Sequence, residues 1–152
     1  MLQIFCKNTR TTRNFPEGTS LLEALDSFDF EKPYPIVSAK VNNVSQGLKF
    51  RLYQNRDIEY LDVREPSGMR IYTRSLFFLL SKATADVLPG ARLYMEHPIS
   101  GGYYCNLRKH DGQEVSEEQV ALIKERMREI VNKDMLFNSF EVQTEEAISI
   151  FR

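Results

Sequence analysis

The sequence has no tryptophan, and it has only two cysteines and two histidines among its 152 residues. Cys6 and Cys105 lie far apart and form no C-x-x-C pair, which favours a reduced protein of the cytoplasm. His97 and His110 have no second His or Cys at the spacing of a metal site. We therefore predict no metal centre, and both histidines are interpreted as turn residues.

Other absences exclude whole classes of protein. No apolar run reaches the roughly 20 residues that span a bilayer, and the first ten residues do not have the pattern of a signal peptide, so we expect no membrane contact. The net charge of −1 argues against one dominant phosphate-binding surface. No G-x-x-x-x-G-K-[ST] motif occurs, so these residues do not form the phosphate loop of an ATP-binding kinase.

The first 63 residues predict the order strand, strand, helix, strand, strand, strand. Apolar residues alternate with polar ones at the start, and Ser20 with Glu23 forms a capping box that opens a short helix. Prolines make 26–35 a loop, and Asn42-Asn43 is typical of a turn. The later strands are predicted at 36–41, 48–53 and 58–63. This order favours a ubiquitin-like β-grasp, a mixed sheet wrapped on one helix.

A second α+β domain is predicted after a break at Arg64-Glu65-Pro66-Ser67-Gly68. A helix is expected over 72–88, because apolar residues recur there at three- and four-residue steps. Strands are predicted at 92–96, 103–107 and 137–142, with a loop over 97–102. A capping box at Ser116 opens a helix that continues to Asn132. We place the domains at 1–64 and 65–152. A helix starting at Thr144 stops after two turns, so we expect the N-terminal part of a longer protein.

Several stretches resemble a known family. "FPEGTSLLEAL" and "VSAKVNN" resemble the TGS domain, the β-grasp module found in threonyl-tRNA synthetases and some GTPases. "IYTRSLFFLLSKATADVLPGARL", "GGYYCNL" and "SEEQVALIKERMREIV" resemble the second N-terminal domain of threonyl-tRNA synthetase, a fold used to edit mischarged tRNA. The resemblance implies an α+β chain: a TGS β-grasp followed by a domain similar to the editing domain.

Two functions are compatible with this resemblance. The same domain pair begins a group of bacterial uridine (nucleoside) kinases, and "PSGMR" and "LYMEHPISGGYYCNL" are most similar to that group. This implies a non-catalytic binding or regulatory region without a cofactor of its own. A later kinase domain would be its partner and would use ATP and Mg²⁺ to phosphorylate uridine or cytidine. The alternative is an RNA- or tRNA-binding module of threonyl-tRNA synthetase lineage with a degenerate editing site.

The resemblance also indicates where editing chemistry would lie. Editing enzymes carry H-x-x-x-H on the helix that matches this one, and the matching positions here are Arg74 and Phe78. Phe has no lone pair, and Arg does not release its proton near neutral pH. The family's other editing residues, a Cys and a His, would lie beyond the last residue of this sequence. We predict no catalytic residue, although an editing domain with altered chemistry is a third hypothesis.

The remaining candidates are ligand-binding residues. The simplest interpretation places Phe77, Phe78, Leu79 and Leu80 in the core. A pocket that still binds a nucleotide or an RNA end is the alternative, and its candidate residues are Arg70, Arg74, Phe78, His97 and Tyr103. A wider basic set could meet a phosphate backbone beside aromatic rings, or could be an ordinary solvated face; it comprises Lys7, Arg10, Arg13, Arg64, Arg70 and Arg74.

Overall fold

The computed structural model describes residues 1–138 and 140–150. By its contacts the chain divides into two units, Met1–Phe78 and Leu79–Arg152, which we call unit 1 and unit 2. The α+β class predicted from the sequence is confirmed, since a five-stranded sheet and helices are both present. None of the helices in the described part of the chain is long and apolar enough to cross a membrane.

Unit 1 is built on a mixed sheet whose strand order is β2-β1-β7-β4-β5. Strand β1 runs parallel to β7, and the other neighbouring pairs in this sheet are antiparallel. A separate antiparallel pair joins β3 to β6. The elements are β1 (Leu2–Cys6), β2 (Thr11–Phe15), β3 (Thr19–Ser20), α1 (Leu21–Leu25), β4 (Ser38–Val41), β5 (Val44–Gln46), β6 (Arg51–Leu52) and β7 (Arg56–Leu61).

The core of unit 1 lies on one face of this sheet. Leu2, Ile4 and Cys6 are buried because alternate side chains of a strand point to the same face. Helix α1 begins at the predicted capping box, in which Ser20 accepts from the backbone N–H of Glu23. The Tyr60 hydroxyl donates to the carbonyl of Leu21 at 2.7 Å and so joins β7 to α1. Desolvation raises the pKa of this buried phenol.

Helix α2 (Pro66–Val87) begins earlier than the sequence predicts. The helix expected over 72–88 therefore has the wrong start, because Pro66-Ser67-Gly68, placed in the break before it, belongs to its first turn. Proline is tolerated in the first helical turn, where its missing N–H would have no intrahelical partner. Gly68 is needed there because a Cβ at this position would lie 2.0 Å from the carbonyl oxygen of Asp62.

Unit 2 combines a two-stranded antiparallel sheet with helices. Its elements are β8 (Arg92–Ile99), β9 (Gly102–Arg108), α3 (Glu117–Asn132) and α4 (Thr144–Ile150), together with the end of α2. Helix α3 begins at the predicted capping box, with Ser116 and Gln119 bonded reciprocally. The buried cluster of unit 2 consists of Leu79, Ala83, Ile123 and Ile130.

Other local predictions need correction. The predicted loop over 97–102 is wrong, because β8 and β9 extend through it and leave only Ser100 and Gly101 as the connection. Strands β3 and β5 were not predicted, and the strand expected over 48–53 is reduced to Arg51–Leu52. The strand expected over 137–142 includes Ser139, which lies outside the described residues, and its described neighbours have no regular secondary structure.

Candidate functional site

Three of the predicted ligand residues form a stripe along helix α2. Arg70, Arg74 and Phe78 follow one another at four-residue intervals, so they lie on one side of the helix. All three side chains are exposed, and Arg70 donates from Nη2 to the Ser67 hydroxyl at 3.1 Å. We call Arg70, Arg74 and Phe78 the α2 stripe. It is an elongated surface that carries two positive charges and one ring.

The interpretation of Phe78 as a core residue is wrong. Its side chain is 60% exposed, whereas Leu79 is only 8% exposed and belongs to the buried cluster of unit 2. Successive helical residues point about 100° apart, because a turn holds 3.6 residues, so one step along the chain separates a buried position from an exposed one. Leu79 and Ala83 are buried one turn apart on the same side of the helix, and Phe78 is on a different, exposed side.

The α2 stripe can bind but cannot transfer protons. The Arg74 guanidinium stays charged and has no acceptor, and the Phe78 ring can only stack or pack. A guanidinium pairs well with phosphate oxygens, and an exposed ring can stack on a base. Among the described residues, no group of three or more His, Cys, Asp or Glu side chains could hold a metal ion. The geometry therefore fits recognition of an anion with an aromatic group.

Arg64, also in the predicted basic set, is already engaged within unit 1. Its Nη2 donates to the buried carboxylate of Asp62 at 2.7 Å, and its Nε lies 3.0 Å from the same oxygen. The hydrogen bonds from Arg64 lower the pKa of Asp62, and the hydrogen bond to Asp62 raises that of Arg64. The guanidinium also lies over the Tyr34 ring at 5.6 Å from its centroid. Arg64 is therefore less available to a ligand than Arg70 or Arg74.

His97 and Tyr103 lie in unit 2, on the β8–β9 ribbon. His97 is in β8 rather than in a turn, at an irregularity in the register between Met95 and Pro98. Its ring stacks on Tyr104, with centroids 5.5 Å apart and an angle of 29° between the planes. Tyr103 is exposed and pairs across the ribbon with Pro98. The predicted ligand residues thus form two groups, one on α2 within unit 1 and one on the ribbon within unit 2.

Sequence reasoning missed four further residues of the ribbon. Arg92 pairs directly with Arg108 across the two strands, and Tyr94 lies under the Arg108 guanidinium, 5.3 Å from ring centroid to Cζ. Tyr104, the stacking partner of His97, is 51% exposed. The sequence did contain one signal for this face: these polar and aromatic residues alternate with Leu93 and Leu107, as on a strand with one buried side. The strand pairing that joins them could not be obtained from alternation alone.

Cys105 and its surroundings do not have the partners of a nucleophile. Its Sγ lies 3.3 Å from the Met95 sulfur and 3.8 Å from the carbonyl oxygen of Tyr103, and neither is a general base. A cavity of about 450 Å³ follows β9 on this side and is lined largely by apolar residues of α2, β9 and α3. The half-buried position of Cys105 is that of a small packing residue.

Comparisons with known proteins give one consistent result. No protein-family model matches the chain. The threonine–tRNA ligase of Desulforamulus reducens is 27% identical over 152 residues, which is all of this chain and 24% of the ligase. That of Natranaerobius thermophilus is 24% identical over the whole chain and 23% of its own length. That of Rubrobacter xylanophilus is 27% identical over 116 residues, 76% of this chain and 18% of the ligase.

These comparisons favour one of the two functions inferred from the resemblance. The chain is similar throughout to the N-terminal region of threonine–tRNA ligases, and it spans about a quarter of the length of these curated relatives. The uridine kinase interpretation is wrong on this finding, because the matching relatives are consistently named as ligases. The likeness supports the alternative, a module of threonyl-tRNA synthetase lineage.

Proposed function

We propose that this chain is a tRNA-binding module of threonyl-tRNA synthetase lineage whose editing site has lost its catalytic side chains. The observation that carries this proposal is the α2 stripe. It presents Arg74 and Phe78 at the positions where the resemblance implies the two editing histidines, with Arg70 one turn before them. The catalytic imidazoles are replaced by a cation and a ring, and these are groups that bind nucleic acid.

The proposal includes the finer domain assignment. We assign 1–64 to a TGS β-grasp domain and 65–152 to a domain similar to the editing domain. The first assignment is supported by the order β2-β1-β7-β4-β5, with β1 parallel to β7 and helix α1 in the connection between the two hairpins. The second is supported by helix α2, which begins at Pro66 and carries the matched stretch "IYTRSLFFLL".

In this function the α2 stripe contributes charge and stacking. Arg70 and Arg74 would neutralise phosphates, and Phe78 would stack on an unpaired base near the end of the tRNA. Binding of this kind releases counterions, so the affinity falls as salt rises, with a slope of about 0.7 to 0.9 per phosphate contacted. Such binding needs no cofactor.

The test is tRNA binding measured by fluorescence anisotropy over a range of salt concentrations, with labelled threonine-accepting tRNA. Replacing both Arg70 and Arg74 by Gln should weaken binding about tenfold and reduce the salt slope by about one to two. The matched control replaces two exposed cations, Lys124 in α3 and Lys133 at the C-cap of that helix, by Gln. Equal losses in the two double variants would show that only net charge matters and would remove the stripe from the interface.

A second measurement tests the loss of editing. Seryl-tRNA is incubated with the unaltered protein and with a variant carrying Arg74→His and Phe78→His. We expect no deacylation by the unaltered protein, because neither native side chain can accept a proton. Hydrolysis at a rate above the protein-free reaction would overturn the degenerate-site proposal and favour editing by altered chemistry.

A further inference from the structure

The β8–β9 ribbon has two chemically different faces. Leu93 pairs with Leu107, which packs against the buried cluster of unit 2, so these residues define the inner face. Alternation along each strand then turns their neighbours to the opposite side. This outer side, which we call the ribbon face, carries Arg92, Tyr94, Glu96, Tyr104, Asn106 and Arg108, and the irregular register before Pro98 lets His97 join it by stacking on Tyr104.

The ribbon face keeps two positive charges next to each other. Arg92 and Arg108 are directly paired, and opposite positions of an antiparallel ribbon place Cβ atoms about 5 Å apart. Like charges in this arrangement are destabilising. Neither guanidinium forms an ion pair with any acidic residue of 1–138 or 140–150. The repulsion between the two guanidinium groups destabilises the free protein, and an anion bound between them would offset it.

Flat aromatic surface lies beside this charge. Tyr94 is 40% exposed and holds the Arg108 guanidinium over its ring, and Tyr104 is 51% exposed and stacked with His97. Tyr94 pairs with Asn106, so Tyr104 is its diagonal neighbour on the same face, roughly 7–8 Å away in an ordinary ribbon. The irregular register at Met95 and Pro98 is what turns His97 toward Tyr104.

We propose that the ribbon face binds unpaired RNA, with a phosphate between Arg92 and Arg108 and bases stacked beside Tyr94 and Tyr104. Paired RNA hides the faces of its bases within the helix, so only unpaired nucleotides can stack on side chains. An acidic peptide would satisfy the charges but would offer no flat ring to the two tyrosines. The choice of RNA rests on the proposed tRNA-binding function, whereas the surface is separate from the α2 stripe.

Unit 1 contains a matched pair that should not bind. Arg64 lies over Tyr34 much as Arg108 lies over Tyr94, with centroid distances of 5.6 and 5.3 Å. Tyr34 is 48% exposed, which is close to the exposure of Tyr94. The difference is that Arg64 is neutralised by Asp62, whereas Arg108 faces a second arginine. Tyr34→Ala is therefore a control for the loss of an exposed ring beside an arginine.

The experiment measures binding of a labelled, non-self-complementary RNA of about eight nucleotides, a length within the usual site size for single strands. Tyr94→Ala and Tyr104→Ala should each weaken binding about tenfold, because stacking is sensitive to the loss of a ring. The corresponding Phe variants should stay within about twofold, since they keep the ring. Arg92→Gln with Arg108→Gln should reduce the salt slope by about 0.7, as expected for one lost phosphate contact. Tyr34→Ala should leave binding unchanged.

Three results would overturn the inference. The first is unchanged RNA affinity in both Tyr→Ala variants. The second is an equal loss of affinity in the Phe and Ala variants of the same tyrosine. The third is a fully paired RNA hairpin that binds as tightly as the unpaired RNA. Competition by polyglutamate with no sensitivity to the tyrosines would indicate an acidic protein partner instead. The proposed tRNA-binding function has its own test, because it predicts that changing Arg70 and Arg74 weakens tRNA binding. The same changes should leave binding of the short RNA unaltered, so the two proposals can fail independently.

Discussion

The two units of this protein bury their apolar side chains to very different degrees. Among the described residues, the cluster of unit 1 contains twelve buried residues, whereas that of unit 2 contains four. In unit 2 large apolar or aromatic side chains remain exposed on the ribbon, on α3 and on α4, including Tyr104, Leu122 and Ile148. Exposed apolar surface of this kind is typical of interaction sites. Unit 1 exposes large apolar side chains as well, such as Tyr53 and Phe78, so the difference between the units lies in the size of the buried cluster.

The arginine–tyrosine pairs show the same difference on a smaller scale. Asp62 neutralises the guanidinium that lies over Tyr34, so this pair in unit 1 is complete by itself. In unit 2 the arginine over the ring is Arg108, and its neighbour is a second arginine, Arg92, rather than a carboxylate. Neutralised surface pairs contribute little to binding, whereas an uncompensated cation beside a ring attracts an anionic aromatic ligand.

The largest expected effect comes from removing equivalent core side chains in the two units. Ile58 in β7 is fully buried among residues of the unit 1 sheet, and Ile130 in α3 is 5% exposed in the smaller cluster. Isoleucine-to-alanine changes in cores cost about 2 to 5 kcal/mol, and the cost rises when the site cannot collapse. We expect about 4 kcal/mol for Ile58→Ala and about 2 kcal/mol for Ile130→Ala, near the two ends of that range.

Urea unfolding followed by far-ultraviolet circular dichroism measures both changes, because the protein has no tryptophan to report by fluorescence. Hydrogen exchange read by mass spectrometry then assigns each loss to its unit. Val44→Ala, at a position 60% exposed on β5, is the control and should change the free energy of unfolding by less than about 0.5 kcal/mol. Equal losses at Ile58 and Ile130 would contradict the proposed difference between the units.

The next largest effect is expected from glycine-to-alanine changes, because an added Cβ tests how closely other atoms approach the backbone. A Cβ at Gly68 in α2 would meet the Asp62 carbonyl oxygen, whereas a Cβ at Gly102 in β9 would have nothing within 4 Å. Gly68→Ala should destabilise the protein by about 1 to 3 kcal/mol despite the better helix propensity of alanine. Gly102→Ala should stay within about 0.5 kcal/mol. Thermal unfolding of the two variants makes the comparison, and a neutral Gly68→Ala would show that the start of α2 can shift freely.

Much of the fold could be predicted because its signals are local. The capping boxes at Ser20 and Ser116 depend on residues three positions apart, and both are confirmed. The buried alternation of Leu2, Ile4 and Cys6 is likewise visible in a short stretch. The start of α2 was missed because Pro66 and Gly68 each break helices in most contexts, and only the contact with Asp62 explains why glycine fits there.

The candidate surfaces were predictable to a smaller extent. The spacing of Arg70, Arg74 and Phe78 places them on one side of any helix, so the α2 stripe could be obtained from the sequence. The ribbon face depends on which residue of β8 pairs with which residue of β9. That register is set by the irregularity near His97 and by the short connection at Ser100, and neither is visible as a pattern.

The smallest expected effect is on the pH dependence of stability, and it compares two carboxylates. One has its ion-pair partner nearby in the sequence, and the other has a partner far away in the sequence. Asp62 is held by Arg64, two residues away, so part of this pairing can persist in the unfolded chain. Asp86 in α2 is held by Lys82 and by Arg126 of α3, forty residues away, at 2.9 Å. Hydrogen bonds from Lys82 and then Arg126 lower the pKa of Asp86 below its usual 3.8. Only the pairing with Arg126 requires unit 2 to be folded.

The sign of the pH dependence follows from that shift. Because the pKa is lower in the folded protein, the unfolded chain takes up the proton first as the pH falls. The stabilisation is complete above about pH 5, where the unfolded carboxyl is also ionised, and it is lost as the pH drops through the folded pKa. We expect Asp86→Asn to flatten the dependence of the urea midpoint on pH between about 5 and 2 more than Asp62→Asn does. A steeper effect of Asp62→Asn would mean that the local pair forms only on folding, and unit 1 would then be the more acid-sensitive of the two.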